Sequence, residues 1–183
     1  MRLLNTRPTE DALSLTAALE AMGHEVISAP LLSIEDVEGD LPDLADVYGL
    51  LATSANGLRA FAGKSDRRDL KVFAVGDATA RTASAKGFDD VSTASGDVDA
   101  LADLVKATCQ PGNGILLHVA GSAVAGDLGG NLDAAGYKVQ RLVLYKALVA
   151  GVLPDQVEKM LTAGDLDGVM LYSPLTAATF VAL

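Results

Sequence analysis

The chain contains 183 residues, and its 24 Asp and Glu outnumber its 14 Lys and Arg to give a net charge of −10. Nucleic acids and anionic membranes bind clusters of basic residues, so this balance argues against both as partners. Half of the residues are apolar and 21% are charged, a composition that excludes a disordered chain. The length allows one large domain or two small α/β domains.

Residues that bind metals or form disulfides are few and far apart. Cys109 is the only cysteine, and His24 and His118 are the only histidines, which is too few for a zinc cluster. The N-terminus is too polar for a signal peptide, and the longest apolar tract, residues 142–153, is interrupted by Lys146. We therefore expect a cytoplasmic protein that needs no metal or organic cofactor.

Short apolar runs alternate with amphipathic helical patterns almost from end to end of the chain. Gly23, Gly87 and Gly136 each follow a helical stretch, where a residue with positive φ usually ends the helix. This alternation predicts parallel sheets with helices on both faces. The predicted strands, in chain order, are residues 2–5, 25–29, 47–52, 72–75, 115–119, 138–144 and 168–171.

The sequence also contains an internal repeat in two blocks. One block recurs 113 positions later and the other 119 positions later. Any two strand–helix units look alike at this level, but two blocks in the same order at nearly the same spacing favour a duplicated α/β unit. The matched stretches are residues 3–5 with 116–118, 19–26 with 132–139, and 53–61 with 172–180.

Four strand-to-helix junctions carry hydroxyl groups or small residues. In parallel α/β sheets, ligands bind where helix N-termini direct backbone N–H groups outward, and this arrangement suits carboxylates. Thr and Ser are also preferred helix caps for structural reasons alone, yet four such turns on two related units favour binding. The junctions are residues 6–8, 53–57, 75–79 and 172–174.

The signatures of common catalytic sites are missing from the sequence. It has no Walker loop, no Gly-x-Ser-x-Gly elbow and no His-Glu-x-x-His motif. His118 ends a predicted strand, and we interpret it as a residue that fills the rim of the sheet. Tyr145 lies where an apolar strand turns polar, a position typical of a half-buried packing tyrosine.

Five motifs occur in a distinctive order and spacing. They are residues 5–8 (Asn-Thr-Arg-Pro), 53–57 (Thr-Ser-Ala-Asn-Gly), 74–80 (Ala-Val-Gly-Asp-Ala-Thr-Ala), 143–145 (Val-Leu-Tyr) and 172–174 (Tyr-Ser-Pro). None is diagnostic alone. Together, over the whole chain, they resemble the uroporphyrinogen-III synthase family.

The resemblance implies a monomer with two flavodoxin-like parallel-sheet domains joined by a two-strand linker. Domain 1 would hold residues 1–34 and 149–183, and domain 2 would hold residues 35–148. The second copy of the repeat stops in mid-helix at Leu183, so we expect the C-terminal part of domain 1, roughly 45 residues by the repeat logic, to be missing.

The resemblance also implies an enzyme, a hydro-lyase without cofactors. The family removes water from hydroxymethylbilane and closes the ring with inversion of the last pyrrole, through a spiro intermediate, to form uroporphyrinogen III in haem and other tetrapyrrole biosynthesis. Tyr145 matches the family tyrosine that assists the loss of hydroxide. The positions that would hold the substrate carboxylates are Thr6, Arg7, Thr53, Ser54, Ala55, Gly76, Thr79 and Ser173.

Two departures from the family pattern keep other functions open. Many family members carry an arginine shortly after the strand at residues 115–119, whereas residues 119–122 contain none here. A second Gly-x-x-Thr turn of domain 1 would lie beyond Leu183. A non-catalytic tetrapyrrole-binding regulator is therefore one alternative, although Tyr145 and the intact central motifs favour the enzyme. A two-domain binding protein of the periplasmic type is another, and the absence of a signal peptide argues against it.

Overall fold

The structure is a computed structural model that describes residues 1–123 and 126–183. Strands and helices alternate along the chain. The strands are β1 (Arg2–Asn5), β2 (Glu25–Ser28), β3 (Leu32–Asp36), β4 (Val47–Ala52), β5 (Lys71–Ala74), β6 (Val91–Thr93), β7 (Ile115–Gly121), β8 (Lys138–Val149) and β9 (Gly168–Met170). The helices are α1 (Thr9–Ala21), α2 (Ala55–Lys64), α3 (Asp77–Ala85), α4 (Val98–Thr108), α5 (Leu128–Ala134), α6 (Asp155–Ala163) and α7 (Pro174–Ala182). Within the described ranges, no helix is both long enough and apolar enough to cross a membrane.

Most strands lie where the apolar runs predicted them, and β1 and β4 have the predicted bounds. The strand β6 was missed because its sequence, Val-Ser-Thr, contains a single large apolar side chain. The strand β8 is longer than predicted, because it runs for 12 residues to Val149, whereas the predicted strand ended at residue 144. Gly23, Gly87 and Gly136 follow α1, α3 and α5 with φ values of 82°, 88° and 87°, which confirms that each ends a helix.

The chain forms two compact units. Unit 1 comprises Met1–Glu35 and Ala147–Leu183, and unit 2 comprises Asp36–Lys146. Unit 1 contains a three-stranded parallel sheet in the order β2-β1-β9. Its buried core is formed by Leu4, Ala29, Leu31, Leu153 and Val157.

The larger sheet has six strands in the order β3-β8-β7-β4-β5-β6, and the five from β8 to β6 pair in parallel. Adjacent residues of β4 belong to different cores: Leu50 packs with α2 residues, and Leu51 packs with α4 residues. Successive side chains of a strand point to opposite faces of its sheet, so helices cover both faces. The protein is therefore an α/β protein with parallel sheets, as predicted.

The strand order of the larger sheet is a circular permutation of the flavodoxin-like order. When β4 to β8 are counted as strands one to five, their order is 3-2-1-4-5, whereas counting β7 and β8 first and then β4, β5 and β6 gives the order 2-1-3-4-5 of flavodoxin-like sheets. The difference arises because the chain enters at β4, builds outward through β5 to β6, and then returns to β7 on the other side of β4. The order of the strands therefore reverses between β4 and β7.

The internal repeat is present in the strand registers. Strands β2-β1-β9 of unit 1 pair in the same register as β8-β7-β4 of the larger sheet, at the spacings of 113 and 119 positions found in the sequence. Residues at these spacings are called equivalent below. The matched pairs are Arg2↔Glu25 with Ile115↔Lys138, and Leu3↔Gly168 with Leu116↔Gly49.

Candidate functional site at the carboxyl ends of the strands

Thr6 follows β1 at the carboxyl edge of the sheet in unit 1. Its side chain is fully buried, and its hydroxyl donates a hydrogen bond to the carbonyl oxygen of Met170 at 2.6 Å. This bond ties the end of β1 to the end of β9. Because the hydroxyl proton is engaged in the fold, Thr6 has no side-chain donor left for a ligand.

Ser173 precedes α7 and acts as its N-terminal cap. Its hydroxyl oxygen accepts a hydrogen bond from the backbone N–H of Thr176 at 3.1 Å, and the Thr176 hydroxyl oxygen accepts one from the Ser173 N–H at 3.0 Å. This reciprocal pair is a capping box. The capping interpretation of this residue is therefore confirmed.

Arg7 lies against the ring of Tyr172 at the same edge. Its guanidinium carbon is 4.6 Å from the ring centroid. The side-chain oxygen of Asn5, which is fully buried, accepts hydrogen bonds from the Arg7 backbone N–H at 3.2 Å and the Tyr172 hydroxyl at 3.0 Å. Asn5 thus joins the two residues of the cation–ring pair.

Thr53 and His118 meet at the carboxyl edge of unit 2. The Thr53 hydroxyl oxygen lies 3.2 Å from Nε2 of His118, which is 3% exposed. The pair lies between β4 and β7, where the strand order reverses, and doubly wound sheets bind ligands at such a reversal. Burial and, to a lesser degree, the positive charge of Arg141 lower the pKa of His118 to about 4. The imidazole is therefore neutral at physiological pH and fills the rim, as the sequence predicted.

The helix α2 begins at Ala55 directly after this pair. Ser54 caps it, because its hydroxyl oxygen accepts a hydrogen bond from the Asn56 N–H at 3.2 Å. Gly57, in the first turn, lies so close to Val119 that an added Cβ would overlap the Val119 carbonyl oxygen. The missing side chain therefore allows the start of α2 to sit directly on β7.

The helix α3 begins without a side-chain cap. Gly76 is its N-cap residue, and an added Cβ there would meet nothing within 4 Å. Thr79 is buried, and its hydroxyl forms no hydrogen bond with the described residues. Asp77 accepts long hydrogen bonds, of 3.4 and 3.5 Å, from Ser95 and Thr93. The open first turn of α3 leaves N–H groups available to an anion.

Tyr145 lies on β8 opposite Gly121 of β7, beyond a shift in register. An added Cβ at Gly121 would lie 2.8–3.1 Å from the Tyr145 ring atoms and hydroxyl, so the ring rests directly on the glycine. The Tyr145 side chain is half-buried, and its hydroxyl makes no hydrogen bond with residues 1–123 or 126–183. A phenol held in this way is free to donate a hydrogen bond to a ligand.

Arg141 brings a positive charge to the end of β7. Its Nη2 donates to the carbonyl oxygens of Gly121 at 2.6 Å and Ser122 at 3.0 Å. The sequence showed no arginine at residues 119–122, but Arg141 reaches this segment from β8, where it pairs in register with His118.

The predicted residues divide between the two units, and four further residues of these edges were not among the predicted site residues. Those four are Asn5, Gly121, Arg141 and Tyr172. One signal pointed to Asn5, because it and His118 are equivalent polar residues at the ends of apolar strands. Within the described ranges, no three His, Cys, Asp or Glu side chains form a potential metal site. Unit 1 holds Thr6, Arg7 and Ser173, and unit 2 holds Thr53, Ser54, Ala55, Gly76, Thr79 and Tyr145.

Known proteins share both sequence features and fold with this chain. The family model described as uroporphyrinogen-III synthase HemD matches residues 14–183. A mutant uroporphyrinogen III synthase from Thermus thermophilus is 19% identical with a TM-score of 0.57, and all of this chain covers 76% of that chain. A uroporphyrinogen-III synthetase from Helicobacter pylori is 13% identical with a TM-score of 0.63, and all of this chain covers 78% of it. No curated protein matches the sequence. The two structures share the fold, the family model covers most of the sequence, and the chain belongs to the uroporphyrinogen-III synthase HemD family.

Proposed function

We propose that the protein is a uroporphyrinogen-III synthase. It would convert hydroxymethylbilane to uroporphyrinogen III with loss of water and inversion of the last pyrrole ring. Membership of the family supports the reaction class. The observation that carries the proposal is the Tyr145 hydroxyl, which is fixed against Gly121 and has no hydrogen-bond partner among the described residues.

The chemistry requires little from the protein beyond position. A pyrrole nitrogen of the substrate expels the hydroxyl group of the terminal hydroxymethyl carbon by its own electron donation. The protein has to assist this departure and hold the linear tetrapyrrole in one geometry, and positioning alone lowers barriers substantially. Tyr145 would donate a hydrogen bond and then its proton to the departing hydroxyl group, so that water leaves, and the N–H proton lost from the resulting pyrrole cation would restore the phenol.

The substrate carries acetate and propionate groups, while the protein has a net charge of −10. Its carboxylates must therefore be bound by local donors. In unit 2 the available donors are the uncapped N–H groups at the start of α3 and the free hydroxyl of Thr79. Thr53, Ser54, Ala55 and Ser173 contribute through neighbouring backbone amides, because the serine oxygens already cap their helices.

The proposal includes the organisation of the whole protein. We propose a cytoplasmic monomer that works without a metal or organic cofactor. Domain boundaries would fall near residues 34 and 149, with β3 and the end of β8 as the linker between the domains. Both domains would be flavodoxin-like, with the larger sheet as a circular permutation of that strand order.

The direct test supplies the protein with hydroxymethylbilane and separates the type I and type III isomers of the product. Spontaneous ring closure gives the type I isomer, and its rate serves as the internal reference. We expect type III to dominate with wild-type protein, and Tyr145→Phe to lower its initial rate by about 10²-fold or less, the low end of the range for a positioned proton donor. Type I alone, formed at the spontaneous rate, would contradict the proposal. Tight binding of product without turnover would identify a non-catalytic relative.

A further inference from the structure

We propose that Tyr172 is a positioning residue that holds the Arg7 guanidinium in place for a carboxylate of the bound tetrapyrrole, an inference that rests on the function proposed above. Tyr172 and Arg7 both lie in unit 1. Neither lies at the edge that carries Tyr145. The role of Tyr172 is therefore separable from the bond-breaking step.

A single buried oxygen fixes both members of the pair. Asn5 is fully buried, and its Oδ1 accepts from the Tyr172 hydroxyl and from the Arg7 backbone N–H. Its Nδ2 donates to Thr16 at 3.3 Å, which sets the orientation of the amide. The ring and the backbone below the guanidinium are thus anchored to the same point.

The guanidinium has unused hydrogen-bonding capacity. Among the described residues, Arg7 makes contact with the Tyr172 ring but no ion pair and no side-chain hydrogen bond. An arginine presents five N–H donors whose planar arrangement matches a carboxylate. A ring held under the cation restricts its motion without consuming those donors, so less conformational entropy is lost when the carboxylate binds.

The ring is also partly open to solvent. Tyr172 is 38% exposed, and Arg7 is half-buried, so an anion can reach the cation. Burial raises the pKa of Tyr172, and the Arg7 charge opposes part of that rise. The hydroxyl therefore stays protonated at neutral pH and remains the donor to Asn5.

The repeated edge of unit 2 shows that this pair does not follow from the fold alone. The equivalents of Asn5 and Tyr172 are His118 and Thr53, which also contact each other. The equivalent of Arg7 is Ala120, and the cation at this edge, Arg141, comes from β8 and donates to the carbonyl oxygens of Gly121 and Ser122. The same backbone arrangement therefore exists with and without an arginine at the position of Arg7.

The test compares Tyr172→Phe, which keeps the ring, with Tyr172→Leu, which removes it, in the presence and absence of Arg7→Gln. The kinetic readouts are KM and kcat for type III formation. We expect Tyr172→Leu to raise KM about threefold to tenfold with kcat within about twofold, and Tyr172→Phe, which keeps the ring but loses its hydrogen bond to Asn5, to fall between Tyr172→Leu and the wild type. In the double variant Tyr172→Leu should add nothing to Arg7→Gln, because the ring acts through the cation.

A second readout does not depend on turnover. The Kd of uroporphyrin III, a stable octacarboxylate, is measured by fluorescence titration for the same variants, with Tyr172→Met as a substitute if the leucine variant unfolds. We expect Kd to rise in parallel with KM. If wild-type protein binds uroporphyrin III but forms no type III isomer, the proposed function fails while the Kd values still test the inference. The inference is overturned if Tyr172→Leu leaves Kd and KM unchanged, or if the fold-losses of the two single variants multiply in the double variant. It is also overturned if the wild type does not bind uroporphyrin III.

Discussion

Equivalent positions at the two strand edges have the same backbone register and different chemistry. In unit 1 the edge carries Asn5, Tyr172 and Arg7, a buried polar network that leads to a cation. In unit 2 the equivalents of Asn5 and Tyr172 are His118 and Thr53, whose pair is neutral at physiological pH. The fold is repeated through strand pairing, and a few side chains at the strand ends give each copy its own chemistry.

The first turns of the helices at these edges also differ. Thr176 in α7 completes a capping box, whereas its equivalent in α2 is Gly57, which lies against the Val119 carbonyl oxygen. In unit 1 a side chain thus fixes the start of the helix, whereas in unit 2 the backbone of the first helical turn packs directly against the backbone of β7. Under the proposed function we infer a division of labour, in which Arg7 of unit 1 binds carboxylate with its side chain, whereas unit 2 supplies the donors of α3 and, through Tyr145, the chemical step.

The largest expected effect is a loss of stability when Gly57 of α2, the equivalent of Thr176 in unit 1, receives a side chain. Gly57→Ala places a Cβ on the Val119 carbonyl oxygen, and because backbone has to move, we expect about 3 kcal/mol lower stability. Gly63→Ala in the same helix meets nothing within 4 Å and should raise stability by up to about 1 kcal/mol. Urea unfolding of the two variants measures the contrast. Equal stabilities would show that the close approach of α2 is not required.

The next effect concerns the glycine under Tyr145. Gly121→Ala pushes the ring away, because a Cβ would lie 2.8–3.1 Å from it. We expect the rate of type III formation to fall about thirtyfold, or about 2 kcal/mol, with little loss of stability, since a side chain moves more easily than backbone. Gly129→Ala, where nothing lies within 4 Å, is the matched control. Wild-type activity in Gly121→Ala would refute this role of the glycine.

The neutral pair of unit 2 predicts a pH effect that its equivalent in unit 1 lacks. Above pH 6.5 His118 is neutral in both the folded and unfolded chains, so it contributes no pH dependence. Between pH 6.5 and its folded pKa of about 4, only the unfolded chain binds the proton, and stability falls as pH falls. Each unit of pKa difference is worth about 1.4 kcal/mol.

His118→Asn installs the residue of unit 1 and removes this titration. Between pH 7 and pH 5 we expect the free energy of unfolding of the wild type to fall by about 1–2 kcal/mol more than that of the variant. Urea unfolding at the two pH values provides the measurement. Equal losses of unfolding free energy in the wild type and the variant would mean that protonation of His118 does not destabilise the folded protein.

The smallest expected effects come from the two capping serines. Ser54→Ala and Ser173→Ala should each lower stability by about 1 kcal/mol, with the larger loss at Ser173 because its capping box is reciprocal. Ser84→Ala, at an exposed position within α3, serves as the control. Thermal unfolding distinguishes them, and a neutral Ser173→Ala would show that Thr176 caps α7 without help.

Sequence patterns predicted the features of the fold that repeat along the chain. Apolar runs located most strands, glycines located helix ends, and the spacings of 113 and 119 positions matched the strand registers. The strand β6 was not predicted because a short edge strand needs few apolar residues. The strand order of the larger sheet was not predicted because residue periodicity does not show on which side of β4 the strand β7 pairs.

Fewer features of the site could be predicted from the sequence, because its contacts join residues that are far apart along the chain. Asn5 and Tyr172 are 167 positions apart, and the two motifs in which they lie do not indicate that their side chains meet. Arg141 reaches the end of β7 through the register of β8, and Gly121 contacts Tyr145 only after a register shift. Contacts of this kind depend on packing, whereas Tyr145 itself was identified through the resemblance of its motif to a family.

The division of labour is tested most directly by the kinetics of Arg7→Gln and Tyr145→Phe, measured side by side with hydroxymethylbilane over a range of concentrations. Arg7→Gln should raise KM and leave kcat within about twofold, because it removes binding that is equal in the ground and transition states. Tyr145→Phe should lower kcat and leave KM nearly unchanged, because its hydrogen bond strengthens only as hydroxide leaves. If Arg7→Gln lowers kcat while Tyr145→Phe changes KM alone, the two edges do not have the separate functions assigned to them.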